Sequence, residues 1–303
     1  MNIGIVGLGR MGGNMARRLA RGGAHVVGYD PDPLASRVLA DDGVVAAASL
    51  ETLAIALPAP RVVWLMVPAG NATQQTIDAL VPHLARGDLI VDGGNANYHD
   101  SQRRGEALSR LGIRFSDCGV SGGVHGLANG YALMFGADAE AAAMLVPYIR
   151  ILAPAPDTGW LHCGPIGAGH FVKMIHNGIE YGMMQAIAEG FALMENRRDL
   201  GLDVAKIAST WRHGSVVRSW LLDLTADFLA VDSTLQGVAP IVADSGEGRW
   251  TVEEAIAQGV PAPVLSLALM SRFASQGGGD YANRMLAMMR KAFGGHAIAK
   301  QQP

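Results

Sequence analysis

Residues 173–182 read Lys-Met-Ile-His-Asn-Gly-Ile-Glu-Tyr-Gly. Lys173, His176, Asn177 and Glu180 can each give or take a proton or a hydrogen bond, inside a run that otherwise reads as a buried helix. At about 100° per residue, with Lys173 at zero, Asn177 falls at about +40°, Glu180 at about −20° and His176 at about −60°. The four therefore form one stripe, with Ile175 and Ile179 on the far side. Lys173 and Glu180 stand two turns apart, roughly 10 Å along the axis, so their side chains reach a small molecule from two ends. A lysine acts as a base only when burial or a nearby cation lowers its pKa, and a carboxylic acid donates at neutral pH only when its pKa is raised. A mostly apolar helix facing a closed cleft does both. A solvated face would instead carry several Lys, Glu and Arg in i,i+4 pairs. Here the stripe sits beside Gly178 and Gly182, poor helix formers that are useful where something packs closely.

Glycine-rich turns supply the other candidate groups. Residues 7–12, Gly-Leu-Gly-Arg-Met-Gly, follow a β-branched run and lead into a helical stretch. In that setting Gly7, Gly9 and Gly12 let the backbone approach a pyrophosphate resting on the helix N-terminus, with Leu8, Arg10 and Met11 completing the turn. Without a ligand the same pattern is a tight strand-to-helix turn. Asp30 closes the second strand, where an acid hydrogen-bonds the adenosine ribose and repels a 2′-phosphate. No basic residue follows until Arg37, so NAD is favoured over NADP. Asp30 as a cap for the Pro31–Pro33 turn is compatible with that role. Val67, Pro68 and Ala69, where the strand from Arg61 ends, belong to the same cofactor-facing edge. Asn95 ends "VDGGN" after a strand and is a candidate polar contact at the cofactor-facing edge. Ser121, Gly122 and Gly123 offer a hydroxyl and backbone N–H groups suited to a carboxylate. Ligands of open α/β sheets bind beyond the carboxyl ends of strands, although either glycine loop alone is also an ordinary turn.

The elements that position these groups follow from periodicity. Ile3–Val6, His25–Tyr29, Arg61–Val67 and Leu89–Asp92 are short β-branched runs followed by Ala- and Leu-rich helical stretches, which predicts βαβ units and a parallel sheet. Residues 115–120, 131–136 and 160–164 read as later strands, with 138–152 helical between them. From about Ile166 the pattern is helical throughout, and "GPIGAG" supplies the breaker. The expected organisation is an α/β Rossmann-type NAD-binding domain over residues 1–165, then an all-α helical domain over 166–303 for substrate and dimerisation.

Half of the 303 residues are hydrophobic and 17% are charged, enough for a sizeable core. The formal net charge of −3 argues against a nucleic-acid-binding surface. Cys118 and Cys163 make neither a disulfide framework nor a metal set, which fits a reducing cytosol. The chain opens directly on a strand, and no stretch approaches the about 20 apolar residues of a membrane span. The expectation is a cytoplasmic protein with no membrane or nucleic-acid partner and no metal.

Together "GLGRMG", "VDGGN", "GVSGG" and "GHFVKMIHNGIEYG", with "SGEGRWT" and "FGGH" nearer the C-terminus, resemble the 6-phosphogluconate dehydrogenases, the decarboxylating enzymes of the pentose phosphate pathway. The motifs run in order across nearly the whole chain. The wider β-hydroxyacid dehydrogenases share the fold and a lysine but typically lack this glutamate. The resemblance implies that Lys173 is the general base, and later the acid, in oxidation of the C3 hydroxyl and loss of CO2. It implies that Glu180 protonates C1 of the resulting enediol to give ribulose 5-phosphate. It implies substrate contacts from Asn95, Ser121, Gly122, Gly123, His176 and Asn177, and from Tyr181 and Arg272 at the phosphate end. Arg290 and His296 match a C-terminal segment that enters the neighbouring subunit's site, which implies a homodimer or homotetramer.

Two departures from the family pattern matter. Ser245 stands where the long members carry a phosphate-binding lysine, which leaves Arg249 or Arg218 to substitute. The chain also lacks the second helical unit of the long members and resembles the short, often NAD-preferring class. A single helical unit would complete itself on a neighbour across a two-fold axis. A β-hydroxyacid dehydrogenase acting on a smaller unphosphorylated 3-hydroxy acid would not need Glu180, Tyr181, Arg272, Arg290 and His296 together. A nucleotide-binding sensor would not need both Lys173 and Glu180.

Overall fold

The computed structural model describes residues 1–294 and residue 297, so His296 lies outside the described residues. The chain divides into two compact units, Met1–Ile175 and His176–Pro303, and the division falls inside one long helix. The first unit holds strands β1 (Asn2–Val6), β2 (His25–Tyr29), β3 (Val44–Ala46), β4 (Val62–Leu65), β5 (Leu89–Asp92), β6 (Arg114–Ser121), β7 (Ala132–Gly136) and β8 (Trp160–Gly164). Its helices are α1 (Arg10–Arg21), α2 (Pro33–Arg37), α3 (Leu50–Ile55), α4 (Asn71–Leu80), α5 (Tyr98–Arg110), α6 (Gly126–Asn129), α7 (Ala139–Leu152) and the start of α8 (Ala168–Asn196). The second unit takes the rest of α8 with α9 (Val204–Trp211), α10 (Trp220–Val231), α11 (Glu247–Gln258), α12 (Pro263–Ser275) and α13 (Asp280–Gly294).

The sheet order is β3-β2-β1-β4-β5-β6-β7-β8. Strand order reverses between β1 and β4, which opens a crevice at their carboxyl ends. The expected parallel pairing holds from β3 through β6, but β7 runs antiparallel to β6 and β8 follows β7. The reason is length: the link from Ser121 to Ala132 is shorter than the dozen or so residues that a parallel crossover needs. Strand β3 has only a three-residue ladder, too short for periodicity to reveal.

Helices cover both faces of the sheet, so its strands are apolar on both sides. Val62 and Trp64 of β4 join one core with Ile3, Leu89 and Phe135, while Val63 and Leu65 join the other with Leu53, Ile77 and Ile90. Each such fully buried side chain contributes about 1.5–3 kcal/mol.

The second unit has smaller cores. One gathers Tyr181, Ala268 and Leu269 with Val252 and Phe273; the other gathers Ala208, Ala226 and Leu229 with Phe191. Gly178 and Gly182 of α8 pack closely, as their positions suggest. A Cβ on Gly178 would lie 2.6 Å from Thr251 Cγ2, and one on Gly182 would lie 3.2 Å from Val264 Cγ1. The far side of α8 departs from expectation: Val172, Ile179 and Met183, one face of the helix, are exposed in the single chain. Along α13 every described side chain from Asp280 to Ala292 is exposed except the partly buried Ala287. No described helix is long and apolar enough to cross a membrane.

Candidate active site

The glycine turn is built as a dinucleotide cradle. Helix α1 begins at Arg10 with Gly9 in the capping position and no side chain capping it. A Cβ at Gly9 would meet nothing within 4 Å, so glycine there leaves room in front of the helix N-terminus, where an anion is favoured. Gly12 is glycine for a different reason, since its Cβ would stand 1.9 Å from the Gly7 carbonyl oxygen. Gly7 itself has φ +89°, a conformation that suits glycine. The residues present therefore fit a bound dinucleotide.

Asp30 sits just past β2 and performs two tasks. Its Oδ2 accepts from the Leu8 N–H at 2.7 Å, and its Oδ1 accepts from the Asp32 N–H at 2.9 Å. It thus holds the glycine turn and shapes the bend that follows. A cleft of about 800 Å³ is lined by Gly7, Gly9, Met11, Asp30, Val67, Pro68 and Asn95. Leu8, Arg10, Gly12 and Ala69 do not line it; Leu8 and Gly12 are buried in the turn, and Arg10 and Ala69 are exposed.

Asn95 adopts a positive φ of 50°, which asparagine tolerates better than most residues. Its Oδ1 accepts from the Val120 N–H at 3.0 Å and its Nδ2 donates to the Val120 carbonyl at 3.3 Å. The Asn95 amide therefore staples the end of β5 to β6 as well as facing the cleft.

Arg104 was not singled out by sequence reasoning. It is 3% exposed in α5. It donates to Asp92 Oδ2 at 3.1 Å, to the Gly70 carbonyl at 2.8 Å and to Gln74 Oε1 at 3.3 Å. Asp92 also accepts from the Gly94 N–H at 3.0 Å, and Thr73 Oγ1 donates to the Pro68 carbonyl at 2.9 Å. One buried cation thus ties the loop after β4 to the loop after β5. The neighbouring Arg103 is exposed and pairs with Asp100, and nothing local in the sequence tells the two arginines apart.

Lys173 is 4% exposed. It lies over Gly119 of β6, where a Cβ would come within 2.2 Å of Lys173 Cβ. Ser121 ends the same strand on the same face, followed by Gly122 at φ 131° and Gly123 at φ 51°. Further along α8, His176 Nδ1 lies 3.0 Å from Asn177 Oδ1 and 3.9 Å from Glu180 Oε2. The Glu180 side chain is 40% exposed. The closed apolar surroundings expected for a proton-donating glutamate are not supplied around it by the single chain.

The second unit gathers Tyr181, Ser245, Glu247 and Arg272. The Tyr181 hydroxyl accepts from the Ser245 N–H at 3.2 Å and lies 3.4 Å from Ser245 Oγ, which donates in turn to Glu247. Arg272 stacks 3.4 Å over the Tyr181 ring and donates to the Ala243 carbonyl at 2.8 Å. Arg249, one expected substitute for the family lysine, is instead held by both oxygens of Asp244 at 2.8 and 3.0 Å. That guanidinium keeps the Asp244 carboxyl below its usual range. Arg218 is exposed ahead of α10, and Arg290 is exposed on α13.

Comparison with known proteins identifies the family. Residues 2–161 match the family model described as the NAD binding domain of 6-phosphogluconate dehydrogenase, and residues 169–299 match the 6-phosphogluconate dehydrogenase C-terminal domain. A NAD(+)-dependent, decarboxylating 6-phosphogluconate dehydrogenase of Haloferax volcanii is 42% identical over 99% of this chain and 99% of its own length. An NADP(+)-dependent, decarboxylating 6-phosphogluconate dehydrogenase of Bacillus subtilis is 35% identical over 90% of this chain and 61% of its own length. The Plasmodium falciparum 6-phosphogluconate dehydrogenase, solved in its apo form and in complex with NADP+ and with 6-phosphogluconate, superimposes with a TM-score of 0.84. It is 28% identical, and the match covers 99% of this chain and 66% of that one.

Proposed function

The chain belongs to the 6-phosphogluconate dehydrogenase family, and from that premise we propose that it oxidatively decarboxylates 6-phosphogluconate to ribulose 5-phosphate and CO2, with NAD as the favoured oxidant. The observation that carries this reading is Lys173, buried over Gly119 beside the Ser121–Gly123 turn, with Glu180 two turns along the same helix.

The bound nicotinamide supplies a hydride acceptor; the protein supplies proton traffic and orientation. Lys173 takes the proton of the C3 hydroxyl as hydride leaves C3. The resulting 3-keto acid loses its carboxylate as CO2 while Lys173 returns its proton to the C3 oxygen, giving the enediol, and takes it back as the ketone forms. Glu180 then delivers a proton to C1 of the enediol. Ser121, Gly122 and Gly123 receive the carboxylate, Asn95, His176 and Asn177 hold hydroxyls, and Tyr181 and Arg272 stand at the phosphate end. Burial of Lys173 keeps bulk water away from the proton it would carry.

Preference for NAD rests on Asp30, whose carboxylate at the end of β2 disfavours a 2′-phosphate. The reading also includes a homo-oligomer in which the segment with Arg290 and His296 completes a neighbouring site. Two features of the helical unit support it. Helix α13 leaves Met285, Leu286, Met288 and Met289 exposed. An apolar cavity of about 500 Å³, lined by Ile187, Phe191, Leu221, Leu224 and Phe228, lies in the same unit. A neighbour would also provide the shielding that Glu180 lacks. The same reading places the reaction in the cytoplasm, in line with the free thiols Cys118 and Cys163.

A Lys173→Met variant tests the proposal. Turnover of 6-phosphogluconate should fall by about 10²–10⁴-fold, while NAD titration gives the wild-type affinity. Undiminished turnover would remove Lys173 from the chemistry.

A further inference from the structure

We infer that Asp117 is a positioning residue for Lys173, a buried carboxylate on β6 that pins the first turn of α8 so that the lysine is held over Gly119. The inference deepens the function proposed above and rests on Lys173 being the base.

The arrangement reads directly from strand alternation. Asp117, Gly119 and Ser121 share one face of β6, and each meets the site differently. Asp117 is fully buried. Its Oδ1 accepts from the Gly167 N–H at 2.6 Å and its Oδ2 from the His170 N–H at 2.7 Å. Those are N–H groups at the start of α8, which have no carbonyl partner within the helix. Between them Gly169, just before His170, rests on the sheet backbone: its Cβ would lie 2.5 Å from the Asp117 carbonyl oxygen and 2.6 Å from that of Met134. One turn on, Lys173 crosses Gly119, where a Cβ would clash at 2.2 Å with Lys173 Cβ and at 2.8 Å with its Cγ. The third position, Ser121, begins the carboxylate-binding turn.

A second tie locks the rotation of the helix. His170 Nδ1 lies 2.8 Å from Ser101 Oγ, both groups buried, which joins α8 to α5 behind the Asn95 loop. Burial raises the Asp117 carboxyl, opposed by the pull of His170 and of the two N–H donors. The sequence spacing Asp-x-Gly-x-Ser on the strand thus meets Gly-x-x-His-x-x-Lys on the helix: Asp117 holds two backbone N–H groups, and Lys173 leaves room only for glycine at 119.

Three variants in the intact protein test this: Asp117→Ala, Asp117→Asn, which keeps one accepting oxygen, and Gly119→Ala, which keeps the carboxylate but displaces the lysine. Two readouts are taken. The first is trace labelling with acetic anhydride, scoring Lys173 against the exposed Lys206 as internal standard. The second is turnover of 6-phosphogluconate with the C3 hydrogen as protium or deuterium, alongside NAD affinity. In Asp117→Ala we expect labelling of Lys173 to rise severalfold relative to Lys206. We also expect kcat to fall by about 100-fold, a larger deuterium effect on kcat, and unchanged NAD affinity. Asp117→Asn should recover part of the loss, and Gly119→Ala should reproduce the full pattern even where Asp117→Ala fails to fold. Unchanged Lys173 labelling in both Asp117→Asn and Gly119→Ala would overturn the inference. So would a loss of kcat with the deuterium effect unchanged, which signals fewer folded sites. If the wild-type protein does not turn over 6-phosphogluconate, the proposed function falls, and the labelling ratio alone still decides the role of Asp117.

Discussion

The two units solve the problem of burial differently. The first covers both faces of an eight-stranded sheet and closes two large cores, so Trp64, Leu65, Ile90 and Phe135 are inaccessible to solvent. The second closes only small cores around Tyr181 and Ala226 and leaves Trp220, Val231, Leu267 and the apolar residues of α13 exposed. Exposed apolar side chains gathered along one helix, as on α13, commonly mark an interaction surface. The contrast fits the proposed homo-oligomer, in which a neighbour would cover the helical unit.

The largest expected effect breaks the self-sufficient unit. Arg104→Met leaves Asp92 buried without its cation and should cost about 3–5 kcal/mol of stability, seen as a lower midpoint in urea unfolding. A wild-type midpoint would mean that the loops after β4 and β5 do not depend on this tie. Next comes the helical unit. Leu286→Asp together with Met289→Asp should shift the protein toward monomer in analytical ultracentrifugation and lower turnover by about 30-fold or more, with NAD binding intact. An unaltered oligomer would assign the exposed face of α13 to something else. Third, the two glycines of the turn should separate. Gly12→Ala drives a Cβ into the Gly7 carbonyl and should disturb the fold. Gly9→Ala meets no protein atom and should weaken only NAD affinity, by roughly tenfold. The smallest effect concerns cofactor choice: Asp30→Ala should cut the NAD-over-NADP ratio by about tenfold, read from kcat/KM with each cofactor.

Much of the first unit is legible because its signals are local. Buried parallel strands are continuous apolar runs, and Gly7, Gly9 and Gly12 mark a turn whose next helix is equally plain. The stripe of Lys173, His176, Asn177 and Glu180 is legible because helical periodicity puts spaced residues on one face. What periodicity does not show is the partner of each group. Arg104 looks like its exposed neighbour Arg103, and Asp117 looks like any strand aspartate until α8 is seen docking on it. Arg249 reads as an available cation until Asp244 is found holding it. The antiparallel turn to β7 depends on the length of one connection, and the exposed side of α8 is apolar like its buried side, so no helical pattern tells the two apart.

One assay tests the central claim most directly. The purified protein is mixed with 6-phosphogluconate and with NAD or NADP in parallel, reduced cofactor is followed by absorbance, and CO2 is trapped. The account predicts one CO2 for each reduced cofactor, formed faster with NAD. Reduction of cofactor without CO2, or turnover only of a smaller unphosphorylated 3-hydroxy acid, would contradict it.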